Sequence, residues 1–434
     1  MNELSYKEKL IYLVIFALIT VSYVIGFAMQ ENSAGGALVD FENTKRNLFT
    51  FDNNNFLNAI KSTASLDPQV FQSTRAPGFY VFNKYLNPFT HDPRLHQLFS
   101  TIVSLLIPLF LFLGLKIKFK EVNIYHLAFF STIIILSPYF RSTAFWGNEE
   151  NFGILIVAIS SYFYLKYFER NSVFNEWIYL FALGIFSSLT VYCDQKLIII
   201  PFFTYLTILF SNKGNKNKLF ITFFYIVAAI PFIFLIKLWG NIVPTGDASR
   251  RVIKFSLDNL NFHYFLYSLS IIGFYLFPFF FLLNNKIKNI FLIFKTKENL
   301  FLTFIFFLFL FYFVLFYDLK NFSYLGGGIF DKASKLLFQN LFLQKIFLSI
   351  VFIFSWLVVL IFKANSRFNF LILIFFPIFS LLISPALFQE YFDPLIFFII
   401  LIYLKNRYLF NIKTSLFIFL YFLFFLFSII IFYY

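Results

Sequence analysis

Two carboxylates one residue apart open the chemistry of this chain: Asp40 and Glu42, in Gly35-Gly36-Ala37-Leu38-Val39-Asp40-Phe41-Glu42. A carboxylate held beside a membrane surface can act as a general base toward an acceptor hydroxyl when its neighbours tune its pKa and position. A second acid two residues on can orient the acceptor, or help hold a divalent cation such as Mg or Mn through oxygen ligands. The triplet is also ordinary loop composition. What singles it out is its place just after the first apolar run. Downstream, Ser73-Thr74-Arg75-Ala76-Pro77-Gly78-Phe79-Tyr80 sets one cation beside a rigid turn. The fork of donors on Arg75 matches the oxygens of a lipid phosphate. An interfacial arginine snorkelling to headgroups has the same sequence signature.

Further polar stretches interrupt the apolar ones. Arg141-Ser142-Thr143-Ala144-Phe145-Trp146-Gly147-Asn148-Glu149-Glu150-Asn151 is a tight turn in which Arg141 and Glu149 could line a cleft and Trp146 could offer a sugar its flat face. Cys193-Asp194-Gln195-Lys196 is a short turn if two helices flank it, and an intramembrane acid-base pair if one helix runs through. The loop from Trp239 to Arg251 joins turn formers to Asp247, Arg250 and Arg251, a mix suited to a phosphate or a sugar. In Gly326-Gly327-Gly328-Ile329-Phe330-Asp331-Lys332, three glycines allow backbone to approach a ligand, with Lys332 beside it. Gln389, Glu390 and Asp393 stand at the mouth of the last apolar runs.

The elements that must position these groups are membrane helices. With 60% hydrophobic residues, 13% charged and 75 Phe in 434, the chain departs far from a soluble domain, whose charged share is about 25%. Thirteen runs approach the roughly 20 apolar residues of a spanning helix: 10–29, 98–115, 122–140, 152–167, 176–192, 197–210, 219–238, 263–283, 300–317, 344–362, 369–385, 393–404 and 415–432. The expected fold is an all-α polytopic membrane protein of about 13 spans (11–14), residues 1–434 forming a single domain with a large helical first outer loop, 31–97. Further outer loops are expected at 239–262 and 318–343.

With the N-terminus inside, the inner segments hold 19 cations against 6 acids, the asymmetry that orients membrane proteins. The location of the charges therefore matters more than the formal +14, and a nucleic-acid partner is not expected. Short basic inner loops such as Lys213-Gly214-Asn215-Lys216-Asn217-Lys218 suit contact with membrane lipids. A single cysteine, Cys193, excludes an intramolecular disulfide, and the four histidines lack metal-ligand spacing. The first run is read as a retained helix, since it lacks a convincing small-x-small cleavage site and is nearly long enough to span.

One helix, a large first outer loop with an acid-x-acid pair, then many helices with short basic inner loops resembles the GT-C superfamily of membrane glycosyltransferases. Thr74-Arg75-Ala76-Pro77-Gly78-Phe79-Tyr80 and the stretch from Trp239 to Asp247 are similar to segments of the dolichyl-phosphate-glucose-dependent α-1,2-glucosyltransferases. The chain departs from that family in having Asp-Phe-Glu for Asp-Glu and no His after Gly246-Asp247, so donor and linkage do not carry over. The resemblance implies inverting transfer from a polyprenyl-phosphate sugar to a glycan, lipid or protein acceptor at the outer, periplasmic face of a bacterial-type plasma membrane. Asp40 would be the base, Glu42 its partner or a metal ligand, and Arg75 or Arg250 and Arg251 would meet the leaving phosphate. The competing expectation is a transporter, flippase or polymerase-type carrier of lipid-linked glycans, for which broken helices and midplane charges are the signature.

Overall fold

The computed structural model describes residues 4–34, 36–169, 173–244, 260–283, 294–321, 326–381 and 387–433. It is helical throughout, with no strand among these residues. Two compact units divide the chain: residues 1–250 with 419–434, and residues 251–418.

In the first unit, α1 (Tyr6–Ala28) starts at a capping box in which Ser5 and Glu8 satisfy each other's backbone amides. The long loop that follows folds into α2 (Ala37–Asp52), α3 (Phe56–Ser62) and α4 (Gly78–Leu86), so it is helical as expected. Lys84 closes α2: its Nζ donates to the carbonyls of Phe51 at 2.6 Å and Asn54 at 2.7 Å, placing a cation where a helix leaves its last carbonyls unpaired. Asp92 caps α5 (Pro93–Ser104), with Pro93 at the first helical position, where its missing N–H removes no bond. Helix α6 (Leu106–Lys118) continues it almost directly.

After α7 (Ile124–Thr132) and a 3-10 turn, the chain bends by 68° into α8 (Pro138–Trp146), since Pro138 lacks the N–H needed to continue. Then come α9 (Glu150–Phe168), α10 (Val173–Cys193), α11 (Ile199–Leu209) and α12 (Asn215–Trp239). Helix α9 packs between α6 and α10 and is mostly buried, whereas α12 leaves nearly its whole apolar surface outward.

The second unit is built around α13 (Phe262–Phe280), with α14 (Lys297–Leu315), α15 (Gly328–Leu337), α16 (Leu341–Asn365) and α17 (Arg367–Ser380) packed on it. A short α18 (Leu395–Phe398) leads into a π turn, Ile399–Tyr403. The last helix is α19 (Ile412–Tyr433).

Among the described residues nine helices are long and apolar enough to cross a membrane, or ten if the bent α7–α8 pair is one span. The chain is accordingly an integral membrane protein. Each of the thirteen expected stretches contains helical backbone among its described residues, but 197–210 and 369–381 fall on the shorter apolar helices Gln195–Leu209 and Arg367–Ser380, and 393–404 coils for only nine residues. Hydropathy measures composition, and a short apolar run reads alike whether it spans or turns back.

Candidate functional site

Asp40 lies in the first turn of α2, where the unpaired amides of the helix end favour a negative charge. Glu42 is two residues on, roughly 200° around a helix of 3.6 residues per turn, so the two carboxylates face apart. Both are exposed, and Glu42 pairs with Lys45 at 2.7 Å. Joint ligation of one cation by this pair is therefore not set up by α2, and among the described residues no group of three or more His, Cys, Asp or Glu side chains could hold a metal ion.

Asp40 begins a stripe at helical spacing, Asp40-Thr44-Asn47-Phe51, whose later members are buried. Thr44 donates to Asn148 Oδ1 at 3.4 Å, and Asn148 Nδ2 donates to the carbonyl of Ala37 at 3.1 Å. Asn47 Nδ2 donates to the Tyr80 hydroxyl at 2.8 Å and to the Gln72 carbonyl at 2.9 Å, while its Oδ1 accepts from the Gln72 amide. The exposed acid thus sits at the open end of a polar seam running under the loop.

The seam ends on a cluster drawn from three separate segments. Tyr80 donates to Glu149 Oε1 at 2.7 Å, and Ser73 Oγ lies 2.9 Å from both carboxylate oxygens of Glu149. Beside it Arg75 Nη2 pairs with Glu150 Oε1 at 2.5 Å and Nε with Asp194 Oδ2 at 3.1 Å, and Lys196 Nζ also reaches Asp194 Oδ2 at 3.1 Å. Glu150 Oε2 is buried with no hydrogen-bond partner. Gln195 ties the strap down from below, its Oε1 accepting from the Ala76 amide at 3.1 Å.

Local folding explains this convergence. The strap of residues 72–77 crosses to α4 where Gly78 lies so close to the end of α10 that an added Cβ would stand 2.5 Å from the Tyr192 carbonyl oxygen. Asp194 accepts from the Lys196 amide and starts a 3-10 turn between α10 and α11, so Cys193-Asp194-Gln195-Lys196 is a turn between two helices.

The electrostatics divide the acids. Burial pushes the Glu149 carboxyl up to about 7, against the lowering pull of Arg75 and the Tyr80 hydrogen bond. Burial would raise Asp194 also, but Lys196 and Arg75 outweigh it and hold that carboxyl below its ordinary range. Burial and the Glu149 charge raise the Tyr80 hydroxyl well above the usual phenol. A carboxyl poised near neutrality beside one fixed as an anion is an arrangement able to take up and release a proton.

No family model, curated protein or solved structure matches the chain.

The remaining expected site residues fall elsewhere. Arg141, expected to line a cleft, is only 2% exposed; its Nε and Nη2 donate to Glu31 at 2.5–3.1 Å and its Nη1 and Nη2 to the hydroxyl and carbonyl of Ser22. Trp146, expected to offer a sugar its face, is buried and donates to the Glu31 carbonyl at 3.0 Å. Both fasten α8 to the end of α1. In the second unit Gln389 is buried, its Nε2 donating to the Tyr275 hydroxyl at 3.0 Å and its Oε1 accepting from the Ile329 amide at 2.9 Å. Lys332 lies half-buried on α15, next to Asp331, which accepts from Tyr267 and pairs with Lys335 at 2.7 Å. Asp247, Arg250 and Arg251 lie outside the described residues.

Sequence reasoning did not find Ser73, Tyr80 or Asn47 as partners, nor Glu150 as a partner of Arg75. Their separations along the chain, 69 to 76 residues between Glu149 and its two donors, carry no local pattern. The one available signal was the crowding of polar residues in stretches otherwise apolar.

Proposed function

We propose that the chain is a membrane glycosyltransferase of GT-C type, moving a sugar from a polyprenyl-phosphate donor to a glycan, lipid or protein acceptor. The observation that carries this reading is Asp40: an exposed carboxylate in the first turn of a helix folded out of the first loop, at the open end of a seam leading to buried acids. In the proposed reaction Asp40 accepts the proton of the acceptor hydroxyl as its oxygen bonds to the sugar's anomeric carbon. The bond from that carbon to the phosphate oxygen breaks with both electrons on the phosphate, and the configuration inverts. Glu42 faces away and is assigned the lesser part. Arg75, already engaged with Glu150 and Asp194, acts as a positioning residue for the strap, which leaves Arg250 and Arg251 to meet the phosphate.

The active face is assigned to the outer side of the membrane, with the N-terminus cytoplasmic. A reporter fused after Lys218 should then read as cytoplasmic and one near Asn259 as external. The activity is tested by incubating the purified chain with polyprenyl-phosphate sugars and, separately, with nucleotide sugars. Transfer from the lipid donor alone supports the reading, and transfer from a nucleotide sugar without lipid removes it. Activity unchanged by chelator would leave no part for a divalent cation.

A second reading, a carrier of lipid-linked glycans, is favoured by one feature. The 68° break between α7 and α8 and the buried Arg141 beyond it are what a transporter's discontinuous helix looks like. Tight binding of a lipid-linked oligosaccharide without transfer would select it.

A further inference from the structure

Helix α3 presents two unlike faces. On the inner one Ala59 and Thr63, one turn apart, are buried, and the Thr63 hydroxyl accepts from Trp239 Nε1 at 2.8 Å. Ile60 packs against the cluster of Ala76, Leu235 and Trp239. The opposite side carries Leu57, 68% exposed, with Lys61 one turn on; Phe56, 46% exposed, opens the helix, and Leu66, 79% exposed, lies just beyond its end. Exposed apolar side chains grouped in this way beside a lysine suit a boundary with lipid.

Its anchor says what covers it. Trp239 is the last residue of α12, a spanning helix whose Phe223, Ile226, Ile230, Ile233 and Phe234 are all exposed and thus face lipid. Trp239 is itself buried, so the level is set by the length of the helix: 25 residues at about 1.5 Å each slightly exceed a hydrocarbon core of about 30 Å, and its last residue therefore lies at the boundary. The Thr63 hydrogen bond therefore fixes α3 at that level, beside the end of a helix that faces lipid. A lysine beside two apolar side chains suits that boundary, with its stem among the chains and its ammonium among phosphates.

We infer that α3 is an interfacial helix, lying in the headgroup zone of the leaflet next to the first loop with Phe56, Leu57 and Leu66 at the acyl boundary. This stands on the membrane character of the chain and is independent of the glycosyl-transfer reading.

The lone native thiol makes the test simple. In a Cys193→Ala background, Leu57→Cys, Leu66→Cys and, as a water-exposed reference, His91→Cys are spin-labelled and the full chain is reconstituted into phosphatidylcholine vesicles. Collision rates with oxygen, which concentrates in lipid, and with a water-soluble nickel chelate are then compared. Labels at 57 and 66 should favour oxygen and the label at 91 the chelate. Chelate-dominated collisions at 57 and 66 would overturn the inference in favour of a solvated loop. Weak collision with both reagents would overturn it in favour of a protein cover. The labelled positions are exposed and Cys193→Ala removes only a sulfur from the core, so misfolding is not expected, and an elution profile in detergent matching the native chain checks it.

Discussion

The first unit holds two groups of acids that differ in nearly every physical respect. Asp40 and Glu42 ride on the surface of α2, facing apart, one at a helix start and the other paired along the helix with Lys45. Glu149, Glu150 and Asp194 are gathered from two helix junctions, largely shielded, and bonded to Ser73, Tyr80, Arg75 and Lys196. The contrast separates two uses of a carboxylate. A buried acid tied to partners on other segments holds those segments in place, since removing a partner leaves a charge stranded. An exposed acid at the rim contributes little to stability and stays accessible to a substrate.

The sharpest way to break this contrast is Asp40→Asn. Transfer should fall by about 10²–10⁴-fold, the usual worth of a general base, with thermal unfolding unchanged. Retained activity would shift the base to Glu149. On the holding side, Arg141→Ala should destabilise the chain by about 3–5 kcal/mol by leaving Glu31 buried and alone. Replacing both partners, Arg141→Met with Glu31→Gln, should recover most of that in denaturation assays.

The two shifted acids should respond oppositely to pH. Because the folded Glu149 carboxyl is raised to about 7 from an unbound 4.5, the folded chain holds a proton that the unfolded chain gives up. Stability from this group is intact below about pH 4.5, declines between 4.5 and 7 by on the order of 3 kcal/mol, and is level above. Asp194, depressed by Lys196 and Arg75, contributes above its ordinary range and loses that contribution as pH falls through it. Unfolding midpoints in detergent from pH 5 to 8 should drop for the native chain and stay flat for Glu149→Gln. The smallest effect expected is that of Glu42→Gln, a modest change in transfer and none in stability, since its pair with Lys45 is largely solvated.

Much of the fold was legible because a bilayer admits few alternatives: backbone must be satisfied internally, so each apolar run becomes a helix. The helical first loop and the turn at Asp194 followed from the same reading. Span number was less legible, since 122–140 is broken by Pro138 and 393–404 is too short, and neither fact changes mean hydropathy. The candidate site was legible residue by residue and not as a set. Arg75 stood out beside Pro77, and Glu149 beside Trp146, but nothing local told that Arg75 would be neutralised by Glu150 and Asp194. Nor did an arginine in a polar turn announce that it would be carried inward to Glu31.

That last pair bears on how the chain is made. Helix α1 has glycine at position 26, where an added Cβ would stand 2.5 Å from Arg141 Nη2 and 2.6 Å from Glu31 Oε2, so the small residue leaves the notch in which the pair sits. Glu31 precedes Arg141 by 110 residues. A nascent chain therefore delivers the notch and its counter-charge first, and the arginine, whose burial without a counter-charge is strongly disfavoured, arrives at a prepared berth. The order of synthesis is also the order in which these charges can be tolerated, so a permuted chain that emitted α8 before α1 should insert poorly although its finished contacts would be the same.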